Sequence, residues 1–249
     1  LVMRSYDRLD RIKVTEKEPH DFVSNVDQEA EQVIIEHIHK YYPGHAVLSE
    51  EAGAVPPRSV VPKEADMRWI VDPIDGTTNF IRGVPHFCIS IAVEKAGEVI
   101  CGVVYDPVRD ETFQAEKGQG ALLNQKRLKL SSHAQLEGRV LASGFPRRSS
   151  ISLTEQMAIL MAVTESPATI RRMGSAALDL VYVASGRWGG FWGADLKLWD
   201  IAAGLLIATE AGAGTCDFSG NPVSAEVSGL IVAPLPFLSE LKALISGAR

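Results

Sequence analysis

The chain has 249 residues, 46% of them hydrophobic and 22% charged, with a formal net charge of -6. This is ordinary globular composition, long enough to bury a large core without disulfide staples, and the acidic balance argues against broad attraction to nucleic acid. The three cysteines (Cys88, Cys101, Cys216) are scattered and odd in number, no apolar run approaches the roughly 20 residues that span a bilayer, and no secretory signal is seen, so a reduced, cytoplasmic setting away from membranes is expected.

In chain order, residues 24–42 read as a helix. Ser24 can cap it, Asp27 follows at capping-box spacing, and Ala30, Val33, Ile34, Ile38 and Tyr41 are expected on its buried face. Pro43-Gly44 ends it, Ala46–Ser49 is a short buried strand, and Glu50-Glu51 follow. Residues 55–67 read as an exposed proline-rich loop. Arg68–Val71 is a strand leading into Asp72-Pro73-Ile74-Asp75-Gly76-Thr77-Thr78, and a helix is expected to start near Thr77. Residues 86–95 and 98–105 form a hairpin around Ala96-Gly97, and Phe113–Glu116 is another strand. Val140–Ser143 is a strand stopped by Gly144-Phe145-Pro146, and 153–165 a helix ended by Pro167. Ser175–Ser185 is a helix entered through Gly174, and 200–211 a helix starting at Asp200 and stopped at Gly212. Gly229–Val232 is a strand and 236–246 a last helix. Helices and strands alternate throughout, which predicts a layered α/β or α+β sandwich.

The segment from Trp69 to Phe80 carries the chemistry. An apolar strand delivers Asp72 and Asp75 to a Gly-Thr-Thr turn, and Pro73 fixes its own φ and holds Asp72 extended. Oxygen-only ligands on a rigid turn suit a hard cation such as magnesium. Gly76 lets backbone N–H groups approach an anion closely. Taken alone, D-P-x-D-G is also an ordinary helix-capping surface turn.

The longer string D-P-I-D-G-T-T-N-F resembles the central motif of the inositol monophosphatase family, whose members are magnesium-dependent, lithium-sensitive phosphatases. Trp199-Asp200-Ile201-Ala202-Ala203-Gly204 resembles a second family motif, with Glu210-Ala211-Gly212 one helix later. Ser49-Glu50-Glu51 stands where the family has G-E-E, Lys17, Asp21 and Asp27 where it has its K…D…x-x-D stretch, and Gly174-Ser175-Ala176-Ala177 matches its helix entry. The matches keep family order and span residues 17 to 214. Residues 1–12 supply only the end of the family's first helix.

The resemblance implies a layered α-β-α-β-α sandwich forming one domain over residues 1–249, built of packed halves at roughly 1–140 and 141–249. It implies that Glu50, Asp72, Asp75 and Asp200, with the carbonyl of Ile74, hold two Mg²⁺ ions, and that a third, looser ion sits near Asp27. Glu50 and Thr77, with Asp27 behind the hydroxyl, would position the attacking water. Gly76 and Thr77 N–H groups would hold the phosphate, and Gly174, Ser175, Ala176 and Asp200 would contact substrate. Lys17 would modulate the third ion and Glu51 would join the same network. A homodimer, a cytoplasmic location and millimolar lithium inhibition are further implications.

One position departs from the family. Inositol-hydrolysing members carry a glutamate seven residues before the W-D aspartate, where this chain has Gly193. Asp195 could take over as hydroxyl acceptor if the strand bulges, or Trp192 could offer an apolar wall. Inositol 1-phosphate or a related polyol or sugar phosphate is the leading substrate reading, with histidinol phosphate, fructose 1,6-bisphosphate and 3'-nucleotides as rivals. A reading of another class is a regulatory protein that binds RNA polymerase. The remaining candidates read as structural: His37 and His39 do not share a helix face, His86 sits at a strand end, and Arg147-Arg148 and Arg171-Arg172 are at most contacts to a polyanion.

Overall fold

The computed structural model describes residues 1–18, 21–131, 138–144, 150–223 and 227–249, with backbone alone at 18, 21, 227 and 228. Phe145-Pro146, Arg147-Arg148 and the Asp21 side chain therefore lie outside the described residues.

The elements run α1 (Val2–Tyr6), β1 (Val14–Glu18), β2 (Asp21–Ser24), α2 (Asn25–Tyr41), β3 (Ala46–Ser49), β4 (Gly53–Val55), β5 (Met67–Asp75) and α3 (Thr77–Ile81). There follow β6 (Cys88–Lys95), β7 (Glu98–Asp106), β8 (Glu111–Glu116), β9 (Gly120–Leu123), β10 (Lys126–Leu128) and β11 (Val140–Gly144). The remainder is α4 (Leu153–Thr164), β12 (Thr169–Arg171), α5 (Ala176–Ala184), β13 (Gly190–Leu196), α6 (Leu198–Glu210), β14 (Ala213–Cys216), β15 (Val227–Pro234) and α7 (Leu235–Gly247).

Two large sheets and the separate antiparallel β1–β2 pair organise these elements. The first is eight-stranded, in the order β10-β9-β8-β7-β6-β5-β3-β4, and its one parallel pair is β3 with β5. The second is five-stranded, in the order β12-β11-β13-β15-β14, parallel on one side of β13 and antiparallel on the other. Helices α5 and α6 pack on each other between the sheets, α2 covers the far face of the first sheet, and α4 and α7 cover the far face of the second. The chain thus forms the expected α-β-α-β-α sandwich. Ile70, Val104 and Phe113 meet Leu178, Leu180, Ile201 and Ile207 in the central layer. Leu141, Trp192 and Ile231 meet Ile159, Phe237 and Leu241 outside it.

Several elements depart from the sequence reading. The buried face of α2 carries Asp27, Ala30, Glu31, Ile35, Ile38 and His39, whereas Val33 and Tyr41 are exposed. Ala30 and Ile38 are buried as expected and Ile34 packs against the core, but the stripe is displaced from Val33 and Tyr41 because this helix turns two carboxylates inward. Helix α6 begins two residues before Asp200, which is its third residue rather than its first. The stretch 55–67 is not all loop: it starts on β4 and holds a single 3-10 turn at Pro62–Glu64. The first strand of the motif does not stop at Val71 but runs on to Asp75.

Candidate active site

Strand β5 explains how two aspartates three residues apart come to face the same way. Side chains alternate along a strand, so positions 72 and 75 should point to opposite faces. Against β6, however, Asp72 pairs with Ser90 and Asp75 with Cys88, so three steps on β5 span two on β6. The extra residue is a β-bulge, and it restores the phase between the two carboxylates. Pro73 sits inside it, where its missing N–H costs the ladder nothing. Asp72 Oδ1 accepts from the Ile74 N–H at 3.0 Å, which closes the turn on itself.

Gly76 then turns the chain. Its φ is +97°, and a Cβ there would come within 3.1 Å of the His86 carbonyl and 3.3 Å of the Gly174 carbonyl. Glycine alone tolerates both constraints. Asn79, on α3, donates from Nδ2 to His86 O at 2.7 Å and to Met173 O at 2.8 Å, tying this turn to the loop that opens α5.

That loop holds Asp75. Asp75 Oδ2 accepts from Ser175 Oγ and from the Ala177 N–H, both at 2.7 Å. The carboxylate therefore satisfies the open N-terminus of α5, a helix from the other half of the chain. Ser175 also caps α5 through the Leu178 N–H. The Cys88 thiol packs against the same pair, 3.9 Å from Asp75 and 3.7 Å from Ser175.

On the opposite side, the capping box of α2 delivers Asp27. Its Oδ2 accepts from the Ser24 N–H at 3.0 Å and from the Ser24 hydroxyl, and Oδ1 lies 2.9 Å from Thr77 Oγ1. Thr77 Oγ1 is also 3.1 Å from the Ile74 carbonyl. Thus Asp27 meets Ile74 and Thr77, about 50 residues further on, at one hydroxyl.

Glu50 and Glu51 follow β3. The β1–β2 hairpin brings Lys17 Nζ to 3.6 Å from Glu50 and into an ion pair with Glu51. Glu31, one turn beyond Asp27, accepts from the Ser49 hydroxyl and, at 2.9 Å, from the Glu51 N–H. This residue is absent from the motif reading. The signal for it was the i, i+4 spacing of two acids on a helix otherwise expected to be apolar inward. Asp200 is held by the Lys197 N–H, which donates to Oδ2 at 2.7 Å.

The carboxylates raise one another. Burial pushes Asp72 and Asp200 well above the usual carboxylate range, with the neighbouring negative charges adding to it. Burial lifts Glu50 to about 7, against the pull of Lys17, and Asp75 to about 6, against its donors at α5. Burial also raises Asp27 and Glu51. Such a set ionises fully only with added positive charge, and its donors are all hard oxygens, which fits Mg²⁺. Among the described residues no three His, Cys, Asp or Glu side chains are already gathered closely enough to hold a metal ion.

The cleft continues into a cavity of about 270 Å³. Asp75, Gly174, Ser175, Asp195, Leu196 and Asp200 are among the residues that line it. Gly193 is buried within β13 and pairs with Gly144 and Leu230. Trp192 is fully buried core, not pocket wall. His86 is buried without a partner for either ring nitrogen among the described residues, and burial lowers its pKa to about 4. Glu210 accepts from the N–H groups of Gly118 and Gly120, both at 2.7 Å, and so braces α6 against the β8–β9 turn.

The family model described as "Inositol monophosphatase family" matches residues 1–248. The chain is 46% identical to Nus factor SuhB of Pseudomonas aeruginosa over 235 residues, covering 94% of this chain and 85% of that protein. It is 43% identical to Nus factor SuhB of Escherichia coli K12 over 249 residues, covering 100% and 90%. Among solved structures, the extragenic suppressor protein suhB of Bartonella henselae superposes with a TM-score of 0.91 at 37% identity, covering 98% of this chain and 92% of that one. The Thermotoga maritima IMPase superposes with a TM-score of 0.85 at 33% identity, covering 99% and 91%. On the full-length match and these shared folds, the chain belongs to the inositol monophosphatase family.

Proposed function

We propose that this protein is a Mg²⁺-dependent phosphatase that hydrolyses a small phosphate monoester, inositol 1-phosphate or a related polyol or sugar phosphate. The observation that carries the reading is the Thr77 hydroxyl, set between the Asp27 carboxylate and the Ile74 carbonyl beside the acidic cleft. Membership of the inositol monophosphatase family supports it.

Glu50, Asp72, Asp75, Asp200 and the Ile74 carbonyl would hold two ions, with a third near Asp27. When bound, Mg²⁺ supplies Lewis acidity that acidifies water and stabilises the leaving oxygen. The chain supplies orientation and proton handling. Thr77 gives its proton to Asp27, which leaves its lone pairs to accept from a water. Glu50, 3.6 Å from Lys17 Nζ, would orient the attacking water together with Thr77. Gly76 and Thr77 N–H groups receive phosphate oxygens, and Asp75 locks the cleft to the Gly174-Ser175-Ala176 loop. Lithium sensitivity, a cytoplasmic location and a homodimeric state belong to the same reading. Among the described residues no helix is long and apolar enough to cross a membrane.

The test is phosphate release, with and without Mg²⁺, from inositol 1-phosphate, fructose 1,6-bisphosphate, histidinol phosphate, a 3'-phosphonucleotide and glycerol 2-phosphate. Mg²⁺-dependent turnover of any one supports the class, and their ranking assigns the substrate. A folded protein that turns over none of them sinks it.

A second reading is regulatory. Relatives at 43–46% identity bear the name Nus factor SuhB, which favours a role on the transcription machinery. An Asp75→Asn variant that loses phosphatase activity yet restores the phenotype of a deletion strain would support that role.

A further inference from the structure

We propose that Asn79 is a positioning residue that grips the 173–177 loop against the motif turn, so that the loop is in place before substrate arrives. This rests on the phosphatase reading above and adds a residue that acts through the loop.

The grip comes from one amide. Asn79 is the third residue of α3 and is half-buried. Its Nδ2 donates to the His86 carbonyl at 2.7 Å and to the Met173 carbonyl at 2.8 Å, the second 94 residues away along the chain. Both partners are main-chain carbonyls, which only accept, so the NH₂ end of the amide has to face them. That nitrogen carries two hydrogens, and both are used. A serine has a single hydrogen to give, and an ionised aspartate has none. The surrounding backbone is shaped to let these groups crowd together. A Cβ at Gly174 would come within 3.3 Å of Asn79 Nδ2, and one at Gly76 within 3.1 Å of the His86 carbonyl and 3.3 Å of the Gly174 carbonyl.

The other end of the loop is held by Asp75, whose Oδ2 accepts from Ser175 Oγ and the Ala177 N–H. A donor on α3 thus takes the carbonyl side of the loop, and an acceptor on β5 takes its N–H side. The two holds differ in character. Asp75 belongs to the carboxylates assigned to Mg²⁺, so an ion draws on its charge. The Asn79 amide is neutral and stands outside that competition, so it fixes the loop with or without ions. A loop that must be ordered when substrate arrives weakens binding. Glu50 and Thr77, which would orient the attacking water, are not part of the loop. Loss of the grip is therefore read in KM rather than in kcat.

The experiment sets Asn79→Ser, Asn79→Ala and Asn79→Asp beside the parent. At saturating Mg²⁺, KM and kcat are measured on whichever ester of the panel above the parent turns over fastest, together with the Ki of inorganic phosphate. Amide hydrogen exchange, followed by mass spectrometry, is read on the metal-free proteins without substrate. We expect KM to rise about ten-fold in Asn79→Ala and Asn79→Asp and less in Asn79→Ser, with kcat held within about three-fold. The phosphate Ki should stay put, because the Gly76 and Thr77 N–H groups that would receive phosphate are not on the loop. Exchange should quicken across 173–178 while β6 and β7 keep their protection. Asn79→Ser retains one donor, which makes a folded variant available. A lower thermal midpoint with KM unchanged makes Asn79 a structural residue only and overturns the proposal. So does a loss confined to kcat, or an equal rise in KM and phosphate Ki, which would place the effect on the motif turn itself. If the parent turns over no ester, the phosphatase reading falls and exchange alone decides. Selective loss of protection at the loop then sustains the grip, and a uniform or absent change ends it.

Discussion

Thr77 Oγ1 lies 2.9 Å from Asp27 Oδ1, so the first residue of α3 and the third of α2 share one proton. The pair joins the motif turn to the capping box of a helix 50 residues earlier. Because Asp27 accepts and never donates when ionised, the hydroxyl's orientation is set and its lone pairs face the cleft. Asp27→Asn offers a competing donor and removes that bias. It is expected to lower kcat by about 10²-fold or more, within the usual range for a proton-handling group, with little change in KM. Thr77→Val should do the same and Thr77→Ser should retain most of the rate. The double variant should be no worse than either single one, because the two act as a unit. Steady-state kinetics beside circular dichroism checks this, and strictly additive losses would contradict it.

The acidic cleft has a pH signature. Glu50 is raised to about 7 and Asp75 to about 6, both above their values in an unfolded chain. Between roughly pH 4 and 7 the folded metal-free protein therefore holds more protons than the unfolded one, and its stability falls as pH rises through that window. Mg²⁺ replaces those protons, so its stabilising effect should grow with pH. Thermal midpoints measured in chelator and in Mg²⁺ from pH 5 to 8 should diverge toward the alkaline end. A gap that narrows with rising pH would contradict the assignment of these carboxylates.

Much of this site was readable in the sequence because its parts announce themselves locally. Ser24 and Asp27 form the capping box their spacing suggested, and β3 occupies Ala46–Ser49 as read. The D-P-x-D-G turn needs its proline and glycine for steric reasons visible in the letters. What stayed hidden depends on partners far along the chain. The bulge that aligns Asp72 with Asp75 is defined only against Ser90 and Cys88. The inward turn of Asp27 and Glu31 becomes favourable only when Thr77, Ser49 and Glu51 meet them, which is why an apolar count chose Val33 and Tyr41 instead. Strand β13, with Gly190 and Gly193 inside it, lacks the alternation that marks a strand, and its identity comes from neighbours on both edges.

Glu31 supports the backbone beside the carboxylates that would hold Mg²⁺. It is 5% exposed and accepts from Ser49 Oγ and the Glu51 N–H, so it fixes the backbone on which Glu50 stands. Partners of this kind typically matter by about 10–100-fold in metal affinity. Glu31→Gln should raise the Mg²⁺ concentration for half-maximal activity by about that factor while leaving activity at saturating Mg²⁺ nearly intact. Calorimetric titration of Mg²⁺ gives an independent reading. An unchanged midpoint would make Glu31 a fold-stabilising residue only.

Gly193 tests the leaving-group end from the side of packing. Its neighbours on β11 and β15 are Gly144 and Leu230, and it is buried between them. A methyl group there meets Phe191 Cζ at 2.9 Å and Leu196 Cδ1 at 3.0 Å, both below ordinary contact. The Gly144 carbonyl at 3.2 Å belongs to the backbone of a paired strand and cannot swing aside as a side chain can. Gly193→Ala is therefore expected to cost about 1–3 kcal/mol by overpacking. For a chain of this length that lowers the thermal midpoint by about 2–4 °C per kcal/mol. Gly193→Glu, which restores the acceptor usual at this position, should cost more and should not improve turnover of inositol 1-phosphate. If it instead folds well and raises kcat/KM for that ester, the strand has more room than its packing indicates.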